Sequence, residues 1–589
     1  MKSLSYLNKY FYKYRWRLLL GILFIVINNY FNARIPVFMG DAVDVLSNSA
    51  NYNKETLFWT ALTLAGLIVL FNVIKGFFLF LTRQTIINMS RLIEYDLKNE
   101  IYTKYQQLDY TFYKSQSTGD LMNRISEDVA QVRQYLGPGI MYTVNLVFLF
   151  PFVSYQMFTI NAELAVYCLI PLPLMAVLIY FVSSRMSRLS KEVQKEQSRL
   201  STIGQETFSG IRVIKAYIQE RHTINKFGDS SDAYHRKTMR LVKTNALFMP
   251  TISLLIGFAT LLSIYIGGLL TIDQAITPGN IITFILCIYN LTWPFASVGW
   301  VTSIIQRAGA SQQRINEFLL VKPSIFNKTK NALPTFEKLS FRDVSFRYKD
   351  ELPEVLQHIS FELNKGETIG IVGKTGSGKS TLVQLAVRQM DPTSGQILYN
   401  DQALADVNLE EFRSHIAVVP QDVFLFSDSI RNNILFGTKS SDVPEEELIQ
   451  VTKDAHVYHN IADFPEQFET ILGERGVNLS GGQKQRVSIA RALIRKPKFL
   501  ILDDCLSAVD TETEEIILRN LKRYTQEHET TTMIVSHRIS SLRNADRILV
   551  LENGQVIESG SHDELLTLGG HYKSMHDRQL LELENNKSL

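Results

Sequence analysis

Up to about Leu320 the chain is built from long apolar runs; beyond Pro334 apolar and polar residues alternate at short spacing. A helix needs about 20 apolar residues to cross a bilayer. Six segments reach that length, near 17–40, 57–82, 138–160, 164–184, 246–270 and 279–302. Their connections differ. Those at 41–56, 161–163 and 271–278 are short and carry Asp41, Asp44, Glu163 and Asp273, with Lys54 the only base. Those at 83–137 and 185–245 are long and rich in Lys and Arg. Basic loops stay on the cytoplasmic side. The pattern therefore predicts a cytoplasmic N-terminus, cytoplasmic long loops and a cytoplasmic C-terminal half. Ile87, Leu92, Ile93, Leu97, Ile101 and Tyr102 recur at helical spacing, so the spans are predicted to continue as helices beyond the membrane. Phe112–Tyr113 and the segment TFSGIRVIKAY at 207–217 are candidates for passing motion between a cytoplasmic motor and the spans. Ordinary loop packing explains them equally well.

The second half changes period. Residues 323–337 are polar and aperiodic and read as a linker. FRDVSFRY, ISFEL, Thr368–Val372 and FLILDD (499–504) read as strands, and 479–493 as an amphipathic helix start. This gives a six-helix domain over 1–322, the linker, an α/β domain over 338–575 and a polar tail over 576–589.

Composition narrows the class. At 589 residues the chain is too long for one domain. A net charge of +3 offers no nucleic-acid footprint. Cys168, Cys287 and Cys505 are not at metal-ligand spacing and are expected to pack in apolar surroundings. Lys2, Lys9, Lys13, Arg15 and Arg17 precede a span-length apolar stretch, so this start is expected to remain as a span and not to be cleaved as a signal. Arg34 and Lys75 lie within reach of an interface. Asn28, Asn29, Asn72, Asn145, Asn290 and Trp293 suit either a cavity wall or helix–helix contacts.

The chemistry is concentrated after the linker. GKTGSGKS (373–380) follows an apolar strand and opens a helix, the context of a phosphate-binding loop. Its glycines let backbone N–H groups approach phosphate oxygens; Lys379 would reach the β- and γ-phosphates and Ser380 would hold Mg²⁺. The stretch Gly373, Lys374, Thr375, Gly376, Ser377, Gly378, Lys379, Ser380 and Thr381 is the first cradle. Ser480, Gly481, Gly482 and Gln483 start a second helix and form a second anion site. One chain rarely needs two for one nucleotide, so the second is expected to serve a nucleotide held by another subunit. Asp503 ends a buried strand and would coordinate Mg²⁺ with Ser380, while Gln421, after another strand-like run, would touch Mg²⁺ or water and sense the γ-phosphate. Asp504 stands where a base or water-orienting group belongs. His537, at another strand end, would hydrogen-bond the γ-phosphate. Tyr348 could stack on adenine, or be an ordinary edge-strand tyrosine.

In order, Tyr348, GKTGSGKS, Gln421, LSGGQ, FLILDD, SAVD (507–510) and His537 resemble the ATP-binding cassette (ABC) exporters. The resemblance covers essentially the whole chain; ARIPVFMGDAVD (33–44) and ILGERG (471–476) also look like family segments. It implies a six-helix transmembrane domain of the ABC exporter type with long cytoplasmic helix extensions, fused to an α/β P-loop nucleotide-binding domain. It also implies ATP and Mg²⁺ as ligands, a multi-pass membrane protein (of the inner membrane in a bacterium), and a second half-transporter as partner. Two ATPs would then lie between the P-loop of one chain and the signature of the other. The expected activity is export of amphipathic small molecules, with lipid or lipid-linked sugar flipping as the alternative. Asp504 departs from the family's usual glutamate. The resemblance thus points to the degenerate-site subunit of a heterodimer, though a slow homodimer fits as well.

Overall fold

The computed structural model describes residues 2–49, 53–440 and 442–587. It divides into two compact units, one of Met1–Gln107 with Gln116–Val321, the other of Leu108–Ser115 with Lys322–Leu589.

Among the described residues the first unit holds six helices long and apolar enough to cross a membrane: α1 (Arg15–Ser47), α2 (Lys54–Gln107), α3 (Thr118–Ile160), α4 (Ala162–Ser209), α5 (Glu220–Ile272) and α6 (Pro278–Leu320). They outrun their apolar cores. The 43 residues of α6 make a rod of about 65 Å, twice the hydrocarbon thickness. Asp41 and Asp44, read as loop residues, lie within the last turns of α1. The polar extensions pack as helices do: Ile93, Leu97 and Ile101 are buried on α2, and Lys237 of α5 donates to Glu196 of α4 at 2.8 Å. Leu149, Val153, Cys168, Met175, Phe284 and Leu291 belong to one apolar core shared by α3, α4, α5 and α6.

The GDAVD run has a clear structural use. A Cβ on Gly40 would stand 2.5 Å from the carbonyl oxygen of Gly279, so only glycine lets α1 and α6 touch there. Asp44 then accepts from the Gly279 amide at 2.7 Å and from the Thr277 hydroxyl at 2.5 Å. A carboxylate of α1 thereby satisfies and charge-balances the start of α6.

Among the described residues the second unit contains ten strands: β1 (Lys338–Phe346), β2 (Leu356–Asn364), β3 (Thr368–Val372), β4 (Ser394–Tyr399), β5 (Gln402–Ala403), β6 (Ile416–Val419), β7 (Phe499–Asp503), β8 (Thr531–Ser536), β9 (Arg547–Glu552) and β10 (Gln555–Gly560). They form an antiparallel sheet, β2-β1-β4-β5, and a six-stranded sheet, β10-β9-β3-β8-β7-β6. In the larger sheet β9, β3, β8, β7 and β6 are parallel, and β10 pairs antiparallel at the edge. Parallel strands are covered on both faces, which is why TIGIV and FLILD are apolar and buried nearly throughout. Four helices matter below: α7 (Lys379–Ala386), α8 (Gly481–Leu493), α9 (Thr511–Glu527) and α10 (His571–Lys587).

Two features of this unit differ from expectation. Leu108–Ser115 folds with it: Asp109 accepts from the Ser324 amide at 2.6 Å and hydroxyl at 2.7 Å. And 576–587, read as a polar tail, is the body of α10. Polar composition does not forbid a helix that is tied down at one end. Tyr572 in the first turn of α10 is fully buried.

Candidate functional site

β3, β8 and β7 are adjacent and parallel, so their carboxyl ends open on one edge of the sheet. Ligands bind at that edge in open α/β sheets. β3 delivers the first glycine loop, β7 the two aspartates and β8 His537. Lys379, Ser380, Gln421, Asp503, Asp504 and His537 line one cavity of about 230 Å³, together with Thr375, Gly376, Gly378 and Thr381. A larger cavity of about 480 Å³, beside α9, contains none of these residues.

The loop geometry follows from its glycines. At Gly373 a Cβ would lie 2.3 Å from the Leu551 carbonyl oxygen. Gly378 has φ +103° and opens α7 without a side-chain cap. The first amides of α7 therefore point outward unclaimed by side chains, as an anion requires. Lys379 donates to the carbonyls of Gly373 and Lys374 at 2.7 and 2.9 Å. Burial lowers its pKa, against the raising charges of Asp504 and Asp503. The Ser377 hydroxyl is buried and has no partner among the described residues.

Ser380 Oγ donates to Asp503 Oδ1 at 3.3 Å. Burial raises the Asp503 pKa; Ser380 opposes this, the Asp504 charge adds to it and Lys379 opposes it. Hydroxyl, carboxylate and amide oxygens are the hard donors that share Mg²⁺ with phosphate, so this set fits that ion. Asp504 lies just beyond β7 with φ +47°, fixed by its amide donating to the Val535 carbonyl at 2.8 Å. Its carboxylate oxygens lie 2.8 and 3.0 Å from His537 Nδ1. Gln421 Nε2 donates to it at 3.4 Å.

Not every expected residue lies here. Tyr348 is outside the cavity lining, but its hydroxyl meets Thr381 Oγ1 at 2.8 Å, which ties the ring to α7. The Lys114 ammonium stands 3.7 Å over the same ring. Lys374 pairs with Glu552 at 3.3 Å. Ser480, Gly481, Gly482 and Gln483 do not line the cavity. They open α8 in a closed capping box: Gln483 N donates to Ser480 Oγ at 3.2 Å, and Ser480 N to Gln483 Oε1 at 2.9 Å. Gln485 of α8 accepts from the Ala508 amide at 3.2 Å, joining this helix to SAVD. Lys114 and Gln485 carry no distinguishing pattern in the sequence; only the fold shows their use.

Comparison with known proteins agrees with this architecture. The ABC transporter transmembrane region matches residues 18–295 and the ABC transporter domain matches 356–507. A probable multidrug resistance ABC transporter ATP-binding/permease protein of Bacillus subtilis, YheI, is 33% identical over 97% of each chain.

The chain belongs to the ABC exporters.

An ATP-dependent lipid A-core flippase of Desulfotalea psychrophila is 35% identical over 82% of this chain and 84% of its own. A solved bacterial Atm1-family ABC exporter with ATP bound superposes with a TM-score of 0.81, covering 96% of this chain and 99% of that one, at 23% identity. The fold is therefore that of the exporters: six membrane helices fused to an α/β nucleotide-binding domain in an integral membrane protein that couples ATP hydrolysis to transport. Half-transporters of this kind function as dimers.

Proposed function

We propose that this chain is one half of a heterodimeric multidrug-type exporter and that the ATP on its own P-loop is hydrolysed slowly. In this reading residues 373–381 hold the triphosphate, with Tyr348 at the base and Lys379 on the β- and γ-phosphates. Ser380, Gln421 and Asp503 would hold Mg²⁺, which spreads and neutralises phosphate charge. His537 contacts the γ-phosphate. Ser480, Gly481, Gly482 and Gln483 serve the nucleotide of the partner. The N-terminus and nucleotide-binding domain face the cytoplasm.

One observation carries the asymmetry. Asp504 stands where the family usually has glutamate, and its carboxylate is already engaged by His537 at 2.8 Å. The missing methylene withdraws that carboxylate by about 1.5 Å, one C–C bond. A misplacement of about 1 Å can cost roughly 100-fold in rate. The intact LSGGQ supports a competent site on the partner.

The test compares the reconstituted chain alone with the chain paired to a glutamate-bearing half-transporter. Slow MgATPase from the lone chain, rising about 10- to 100-fold with Asp504→Glu, is expected. Brisk turnover by the lone chain that Asp504→Asn abolishes defeats the proposal. Lipid flipping is the second reading, favoured by the relative named a lipid A-core flippase. Stimulation of the pair's ATPase by lipid-linked sugars, and not by amphipathic drugs, would select it.

A further inference from the structure

The loop carrying His537 has lost its strand neighbours, because β8 ends at Ser536. The loop is nevertheless held from two sides, by its main chain on one and by the Arg538 side chain on the other. On one side stands Gln579 of α10. Its Nε2 donates to the His537 carbonyl at 2.7 Å, and its Oε1 accepts from the Ile539 amide at 2.9 Å. A single side-chain amide thus brackets Arg538 as a paired strand would. Glutamine suits this because it carries a donor and an acceptor on one rigid plane. On the other side Arg538 donates to the buried Glu514 at 2.7 Å and to the Ser507 carbonyl at 3.2 Å.

The clamp rests on a fixed base. Glu558 accepts from the Tyr572 amide at 2.9 Å, and the Tyr572 hydroxyl meets His562 Nδ1 at 2.8 Å. Tyr572 and Gln579 are seven residues apart and so share one face of α10. Met575, on the same face, packs with the cluster that includes Ile539 and Leu542.

We propose that Gln579 is a positioning residue that holds His537 for its contact with the γ-phosphate. This rests on the reading of His537 given above. It gives the C-terminal helix a part in discriminating ATP from ADP, although no described residue of that helix lines the cavity that holds Lys379 and His537.

The test uses the full-length chain in nanodiscs with Mg²⁺, a fluorescent non-hydrolysable ATP analogue and fluorescent ADP. His537→Ala should erode the preference for the ATP analogue over ADP about tenfold, the loss of one hydrogen bond to a charged group. Gln579→Leu should erode it severalfold while leaving ADP affinity within about twofold. The double variant should lose no more than His537→Ala alone. If Gln579→Leu keeps the preference, adds to His537→Ala, or weakens ADP equally, Gln579 is only a structural contact and the inference fails. If His537→Ala itself leaves the preference intact, the assignment of His537 fails and takes the inference with it.

Discussion

α7 begins at Gly378 with φ +103° and no side-chain cap, whereas α8 begins at Ser480 inside a capping box that uses the amides of Ser480 and Gln483. Both starts are rich in glycine and serine, and the same rule about helix N-termini marks both as anion sites. Their surroundings separate them. The first opens on a cavity lined by Lys379, two aspartates and His537. The second faces outward, with Ser480 and Gly481 exposed and its cap closed on itself. In the proposed reading the open start is the one that receives triphosphate within its own chain. The self-capped start is, in the same reading, the one kept for a ligand brought by another subunit.

The comparison is broken most severely through the glycines. Gly373→Ala would drive a Cβ into the Leu551 carbonyl oxygen at 2.3 Å. A cost of about 1–3 kcal/mol and a loss of nucleotide binding of about tenfold or more are expected, read by thermal unfolding and equilibrium binding on the lone chain. A Cβ on Gly481 would meet Ala508 Cβ at an ordinary 3.6 Å. Gly481→Ala should therefore leave the melting temperature of the chain unchanged and its own nucleotide binding intact, while lowering the ATPase of the assembled pair. Equal damage to both readouts by both variants would erase the distinction.

A smaller contrast lies in the serines. Ser480→Ala removes half the capping box and should cost about 1 kcal/mol, a fall in melting temperature of about 2–4 °C. Ser377 has a buried hydroxyl without a partner among the described residues, so Ser377→Ala should be neutral or slightly stabilising in the nucleotide-free chain. If the two shift alike, the self-capping of α8 has no energetic meaning.

The smallest effect concerns pH. Burial raises the Asp503 pKa above its ordinary 3.8. Between 3.8 and that raised value the folded chain holds a proton that the unfolded chain has lost, so stability falls as pH rises through the window. At neutral pH the ionised carboxylate is a standing cost. Asp503→Asn should raise the melting temperature of the nucleotide-free chain at pH 7, with the gain fading as the pH falls toward 3.8. A gain independent of pH would assign the effect to packing.

Much of this molecule was legible in order along the chain. Span length, the buried runs of β3 and β7 and the glycine loop at 373–378 are local properties, set by periodicity and by sterics within a few residues. Asp504 could be found by its place after FLILD. The helical extensions were legible from the spacing of Ile93, Leu97 and Ile101, but their ends were not, because polar helix ends have no contrasting period. Phe112–Tyr113 stood out only as a candidate contact to the motor; that 108–115 folds with the second unit depends on pairs such as Asp109 and Ser324, which meet across 215 residues.

The sequence by itself determined that six apolar helices precede an α/β domain with two glycine-rich helix starts and an aspartate in the place usually held by glutamate. Local chemistry suffices for that, since hydrophobic period and glycine sterics act through near neighbours. Only the tertiary structure decided which glycine cluster opens on Asp503, Asp504 and His537, that α8 caps itself, and that Gln579 grips the main chain at His537. Those facts depend on pairs far apart in sequence, whose meeting is set by the order of strands in a sheet and leaves no period to read.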